Sequence, residues 1–186
     1  PEVDVIFGGH SHTYVNGTVN NKLVVQANSY GMAFADVDVK IDRKTQDIVE
    51  KKAEIVTTYH EGIEPDKKIK KKMEKYQAKI APLVNEVVGK SIAPLDRKQN
   101  MAGESTLGNL VADAQRTTMQ SQIALMNPGG IRNDLDAGDI TWGEIYGIQP
   151  FGNQLIKVNL TGQDIRDILN QQWQKDITRM LQISGI

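Results

Sequence analysis

Apolar and polar residues along this chain change their period at two places, and those changes divide it. Between Lys22 and Thr57 the period is two. Val3 to Phe7 is an apolar run that predicts a buried strand entering a Gly-rich turn, and Leu23 to Gln26 predicts another. Val37, Val39 and Ile41 then alternate with Asp38 and Lys40 before a run from Ile48 to Val56. The alternation predicts a half-buried antiparallel sheet, with Arg43 to Gln46 as the turn of a hairpin. From Glu64 to Val88 the apolar positions Ile69, Met73, Tyr76, Ile80, Leu83 and Val87 recur at alternating steps of four and three, the spacing of a helix with a narrow apolar seam. Pro82 lies inside that pattern and predicts a kink or two consecutive helices. A domain boundary near Gly62 follows from this shift.

Beyond Lys90 the types alternate. Leu107, Leu110, Val111 and Ala114 mark a helix and Ile123 to Met126 a short buried strand. Leu155 to Leu160 predicts another strand, and Ile165, Ile168, Leu169 and Trp173 a second amphipathic helix. Thr161 offers an N-cap for that helix, with Asp164 and Asp167 near its positive end. The fold class is therefore mixed, α+β. Both ends fall in apolar, strand-like segments, Val3 to Phe7 and Leu181 to Ile186, and read as the interior of a longer chain.

Composition narrows the function classes. Lys and Arg total 22 against 23 Asp and Glu in 186 residues, so no whole-molecule field draws the chain to nucleic acid or an anionic membrane. The Lys run beginning at Lys67 reads as a solvated helix face, because aromatic residues do not interleave it as in a nucleic-acid patch. With no Cys, thiolate metal sites and disulfides are excluded, which suits an exported or a cytosolic protein equally. No apolar run is long enough to span a membrane. Strands lacking neighbours would expose apolar edges, so dimerisation or association is expected.

Two groups of residues carry candidate chemistry. Gly8-Gly-His-Ser-His12 follows an apolar strand. Two histidines two apart on extended backbone point to the same side and reach one metal ion or two adjacent ones, with the glycines allowing a tight turn. The alternative is a hydrogen-bonded turn with no metal. Asn127-Pro-Gly-Gly-Ile-Arg132 follows the strand ending at Met126. Glycines there permit positive φ and expose backbone N–H groups beside an Arg fork, a cradle for carboxylate or phosphate. The alternative is a Gly-rich turn whose Arg132 pairs with Asp134 or Asp136, and for Phe151 a core anchor after Pro150.

These residues resemble a known family. Asp4 to His12 is similar to the last metal-binding motif of calcineurin-like metallophosphoesterases. Ser105 to Ala114, Asn127 to Arg132, Gly138 to Trp142, Gln149 to Asn153 and Leu160 to Gly162 resemble, in order, the C-terminal domain of 5'-nucleotidases and 2',3'-cyclic-nucleotide phosphodiesterases. The resemblance implies that 1–62 is the end of a metallophosphoesterase β-sandwich, 63–90 a linker helix about which the domains rotate, and 91–186 part of the nucleotide-binding α/β domain. It implies that His10 and His12 each ligate one of two divalent metals, Zn, Mn or similar. It also implies that Asn127, Gly129, Gly130, Arg132 and Phe151 bind substrate, Arg132 through phosphate, Asn127 through the base and Phe151 by stacking. The expected activity is hydrolysis of a 5'-phosphomonoester or a 2',3'-cyclic phosphodiester outside the cytoplasm, in an extracellular, periplasmic or cell-surface setting. A non-catalytic nucleotide-binding module, or a phosphatase for a non-nucleotide ester, is the rival. The family's upstream Asp-x-His, Asp, Asn-His and further His ligands have no match here, so the chain alone is expected to lack an intact catalytic site. His60 matches no family position and reads as a surface or linker residue. Ser105 and Thr106 stand where some members carry a further phosphate-binding Arg, and the second stacking aromatic of the family would lie beyond Ile186.

Overall fold

The computed structural model describes residues 3–186, and Pro1 and Glu2, where the reading of the opening segment begins, lie outside them. The chain parts into two compact units at Lys67.

The first unit is all β. Strand β1 (Val5–Phe7) lies parallel to β3 (Lys22–Ala27), and β2 (Tyr14–Val19) lies antiparallel on β3's other side. Strand β2 carries no marked alternation in the sequence, yet Asn20 and Asn21, with φ of 47° and 60°, form the two-residue hairpin turn that joins it to β3. Being central, β3 is the strand that buries Leu23 and Val25. The edge strand β1 does not match the expected burial. It starts at Val5, and Ile6 and Phe7 are exposed because only one side of it has a neighbour.

The expected hairpin forms as β4 (Ala33–Ile41) and β5 (Ile48–Thr57) in a second, two-stranded sheet. Asp42 closes its turn by accepting the N–H groups of Lys44 and Thr45 at 2.7 and 3.0 Å. Asn16 Nδ2 donates to the Ala53 carbonyl at 2.8 Å, and Lys51 pairs with Asp4 at 2.7 Å, joining the two sheets.

The second unit mixes α and β, as expected. Helix α1 (Lys67–Val84) is one element, neither two helices nor as long as predicted. Pro82 falls in its last turn, has no N–H to give the Ala78 carbonyl, and the helix ends two residues after it. Val87 leaves the predicted seam for β6 (Val87–Ser91), which pairs antiparallel with β8 (Gly138–Thr141). Helix α2 (Thr106–Met119) starts where Ser105 accepts the Gly108 N–H at 3.0 Å. Strand β7 (Ala124–Met126) pairs with β9 (Gln182–Ser184). The core is Leu107, Met126, Ile131, Leu135 and Ile148. Of the predicted apolar face of α2, Leu107 is buried and Val111 packs partly buried against the core, whereas Leu110 is 46% exposed and Ala114 is exposed; Gly108 and Ala112 are buried with Leu107.

Two further expectations fail. Leu155 to Leu160 forms no ladder and is exposed. A strand-like pattern becomes a strand only where another backbone lies alongside, and none pairs with it among the described residues. Its Lys157 instead donates to the last carbonyls of α2, Met119 and Gln120, at 3.0 and 2.9 Å. Helix α4 (Gly162–Asn170) ends before Trp173, which bridges to Thr178.

Helix α3 (Trp142–Ile148) and α4 both open with capping boxes, Thr141 with Glu144 and Thr161 with Asp164. The Thr141 backbone N–H and hydroxyl hold Glu144 below the usual carboxylate range, and the Thr161 hydroxyl and N–H do the same to Asp164. A carboxyl depressed in the folded state stabilises above its unfolded pKa of about 4, and that stabilisation is lost as pH falls through the folded value. Stability of this unit should therefore decline below about pH 4. Thr141→Ala and Thr161→Ala should each cost about 1 kcal/mol at pH 7 and flatten the acid limb of a stability-against-pH curve.

Candidate functional site

In the first unit, β1 delivers the chain into the turn at Gly8. The backbone there is not extended as expected. His10 and His12 have φ of 67° and 53°, in the left-handed region, whereas Gly8 and Gly9 do not enter it. The histidines themselves make the turn, and the glycines serve another purpose at least at Gly8, where an added Cβ would stand 3.0 Å from Gln26 Oε1. Left-handed backbone is uncommon for residues with a side chain, although His, Asn and Asp are enriched there. Ser11 N–H donates to the Gly9 carbonyl at 2.7 Å, Gly8 N–H to Val25 at 2.7 Å, and Asn28 N–H to Thr13 at 3.0 Å. Both imidazoles are exposed, and that of His12 meets the Tyr30 ring edge-on at 5.6 Å. Two exposed imidazoles are apt donors for a borderline divalent cation. Among the described residues no group of three or more His, Asp or Glu side chains gathers to complete a site. His60 lies exposed near the end of this unit.

In the second unit the loop after β7 is a single 3-10 turn, Pro128–Gly130. Its glycines do not take positive φ, which corrects the expected reason for them. Gly130 is needed for space: an added Cβ would lie 2.4 Å from Cε of Met126, which packs beneath it. Nor is the loop an open cradle of N–H groups, since Gly130, Ile131 and Arg132 donate theirs to Asn127, Pro128 and Ile148.

The side chains carry the site instead. Arg132 pairs with neither Asp134 nor Asp136, the two carboxylates that follow it along the chain. Its Nη1 donates to the Gly129 carbonyl at 3.0 Å, and the guanidinium lies over the Phe151 ring, 5.7 Å from its centroid. Phe151 is 50% exposed and so is no core anchor.

Asn127, Gly130 and Phe151 line an open trough of about 1580 Å³ that extends along α2. It exceeds an ordinary ligand pocket of roughly 300 to 1,000 Å³, because the unpaired 151–160 segment forms one wall. Arg97, which no motif in the sequence marks, reaches the same loop after β7. Its backbone N–H is fixed by Asp134 at 2.7 Å, and its Nη1 donates to the Ile131 carbonyl at 3.4 Å, one residue from Arg132. Only a contact across more than thirty positions brings it there, and spacing along the chain carries no such signal.

The family model described as 5'-nucleotidase, C-terminal domain, matches residues 86–186. The chain is 48% identical over 171 residues to "Endonuclease YhcR" of Bacillus subtilis, a match that covers 92% of this chain and 14% of that protein. It is 36% identical over 202 residues to "Cell wall protein Lmo0130" of Listeria monocytogenes, covering 99% of this chain and 26% of that one. Among solved structures, a 5'-nucleotidase precursor from Thermus thermophilus superposes with a TM-score of 0.68 at 30% identity, covering 98% of this chain and 41% of that chain. The chain thus spans less than half the length of each of these proteins.

Proposed function

The chain belongs to the 5'-nucleotidase family, whose C-terminal domain it carries over residues 86–186, and on that premise we propose that it is the nucleotide-holding part of a metal-dependent phosphohydrolase. The observation that carries the reading is the Arg132 guanidinium laid against Phe151, a half-exposed ring that lines the trough. An exposed aromatic face suits a base, which any nucleotide presents, and guanidinium forks suit a phosphate. Arg97 and Arg132 reach neighbouring carbonyls of one loop and supply two such forks. Asn127 offers an exposed amide at the same trough for a base edge.

His10 and His12 would hold divalent metal in this reading, together with ligands from segments outside 1–186. Bound metal would polarise the phosphoryl group and lower the pKa of a metal-bound water. The substrate is a nucleoside 5'-monophosphate or a 2',3'-cyclic nucleotide. Residues 1–62 serve the catalytic domain, 63–90 connect, and 91–186 hold the nucleotide. A setting outside the cytoplasm is supported by the cell-wall name of the Listeria relative.

Titration of the full-length protein with a nucleoside monophosphate tests this. Arg132→Ala and Phe151→Ala should each weaken binding about 10- to 100-fold, from the loss of a charge-assisted hydrogen bond and a stacking face worth about 1–3 kcal/mol each. Unchanged affinity in both variants would sink the site assignment. Tight nucleotide binding without any turnover would leave the non-catalytic module as the better reading.

A further inference from the structure

Left-handed backbone at two histidines separated by one residue is disfavoured in a free peptide and persists only where surrounding structure over-determines it. The device that does so here is a single buried amide. Gln26 lies in β3 and is 7% exposed. Its Nε2 donates to Ser11 Oγ at 2.8 Å and to Thr13 Oγ1 at 3.1 Å, the hydroxyls on either side of His12. Those hydroxyls are themselves 3.0 Å apart, so three polar groups close a ring beside the histidine.

The backbone brackets the same point, since Gly8 is tied to Val25 and Thr13 to Asn28, on either side of Gln26 along the chain. Oε1 of Gln26 packs so close to Gly8 that a Cβ there would come within 3.0 Å. An amide buried on a strand pays for desolvation unless its hydrogen bonds are met. Here both of its donor bonds go to the histidine turn, and no side-chain nitrogen or oxygen among the described buried residues lacks a partner.

We propose that Gln26 is the positioning residue of this turn. It fixes Ser11 and Thr13, and through them the left-handed backbone that aims the imidazoles of His10 and His12 at metal. The inference rests on the reading above that these histidines are metal ligands. Gln26 makes no contact with metal or substrate and acts through the two hydroxyls.

The test uses cobalt-substituted full-length protein, with the d–d absorption of Co²⁺ and chelator competition as readouts. Gln26→Met keeps the length of the side chain and removes both donors. It should weaken metal binding about 10- to 100-fold, the usual effect of losing a group that orients a ligand, and should alter the cobalt spectrum. Thr13→Val removes one acceptor at an exposed position, should give part of the same effect, and should cost less in the Gln26→Met background than it does alone in a double-mutant cycle.

An unchanged spectrum and affinity in Gln26→Met would overturn the inference. If that variant fails to fold, Thr13→Val decides alone: a weakened, spectrally altered site supports the proposal and an unaltered one overturns it. Failure of the underlying reading looks different, because His10→Ala and His12→Ala would then leave cobalt binding in the otherwise native protein undisturbed.

Discussion

Replacing His10 or His12 with alanine is expected to lower turnover of a nucleoside monophosphate by the full-length protein by about a thousandfold, while nucleotide affinity stays within a few-fold. Metal polarisation of a phosphoryl group contributes several kcal/mol in the transition state alone, which corresponds to about three decades of rate. The loss belongs in kcat because the residues proposed to grip the nucleotide, Arg132 and Phe151, lie in the other unit of the chain. Because both histidines would serve one metal-activated attack, the double variant should be little worse than either single one. Alanine also disturbs left-handed backbone, so His10→Gly and His12→Gly are the decisive controls, glycine accepting φ near 67° and 53° without strain and offering no side-chain ligand. Glycine variants with full metal content and near-native kcat would remove these histidines from the chemistry.

Gly108→Ala is expected to destabilise the second unit by about 2–4 kcal/mol, even though alanine is favoured over glycine within a helix by about 1 kcal/mol. The opposing effect is steric and polar together. An added Cβ in α2 would stand 1.9 Å from Gln182 Oε1 and 2.5 Å from its Cδ. Gln182 cannot give way cheaply. It is 1% exposed, accepts the Ser105 N–H and hydroxyl at 2.9 and 3.0 Å, and donates to the Gly103 carbonyl at 2.7 Å. Displacing it strands buried polar groups worth about 1–3 kcal/mol each, on top of an overpacking cost of similar size.

Ser105 is also the N-cap of α2, so the helix start loosens with it. Both tryptophans, Trp142 and Trp173, lie in this unit, and fluorescence-monitored urea unfolding reads it directly. A raised midpoint would show that helix propensity wins and that Gln182 does not pack as described.

How much of this was legible beforehand depends on how far apart the interacting residues are. The β4–β5 hairpin could be read from the alternation around Val37 and from a turn that Asp42 closes within a few residues. The cap of α4 was visible in Thr161 and Asp164, three positions apart. Helix α1 was legible in type, yet its end was not, since Val87 is drawn into a ladder with Thr141. The residue blocks pointing to the family were likewise plain in the sequence, because they are local strings.

The rest was decided by partners distant along the chain. Arg132 had two nearby aspartates to choose from and lies instead on Phe151, which the fold brings within reach. Leu155 to Leu160 has the pattern of a strand and no ladder, because a strand requires a neighbour's backbone. His10 and His12 read as extended from their spacing and are left-handed because Gln26 and the ends of the turn hold them so. The sequence by itself determined the β4–β5 hairpin, the helical type of α1, α2 and α4, the cap of α4 and the family, since each rests on neighbouring side chains and hydrogen bonds a turn apart. Only the tertiary structure decided how the strands outside that hairpin pair, which loop Arg97 reaches and how the histidines are presented, because strain and long-range pairing persist only where distant contacts offset their cost.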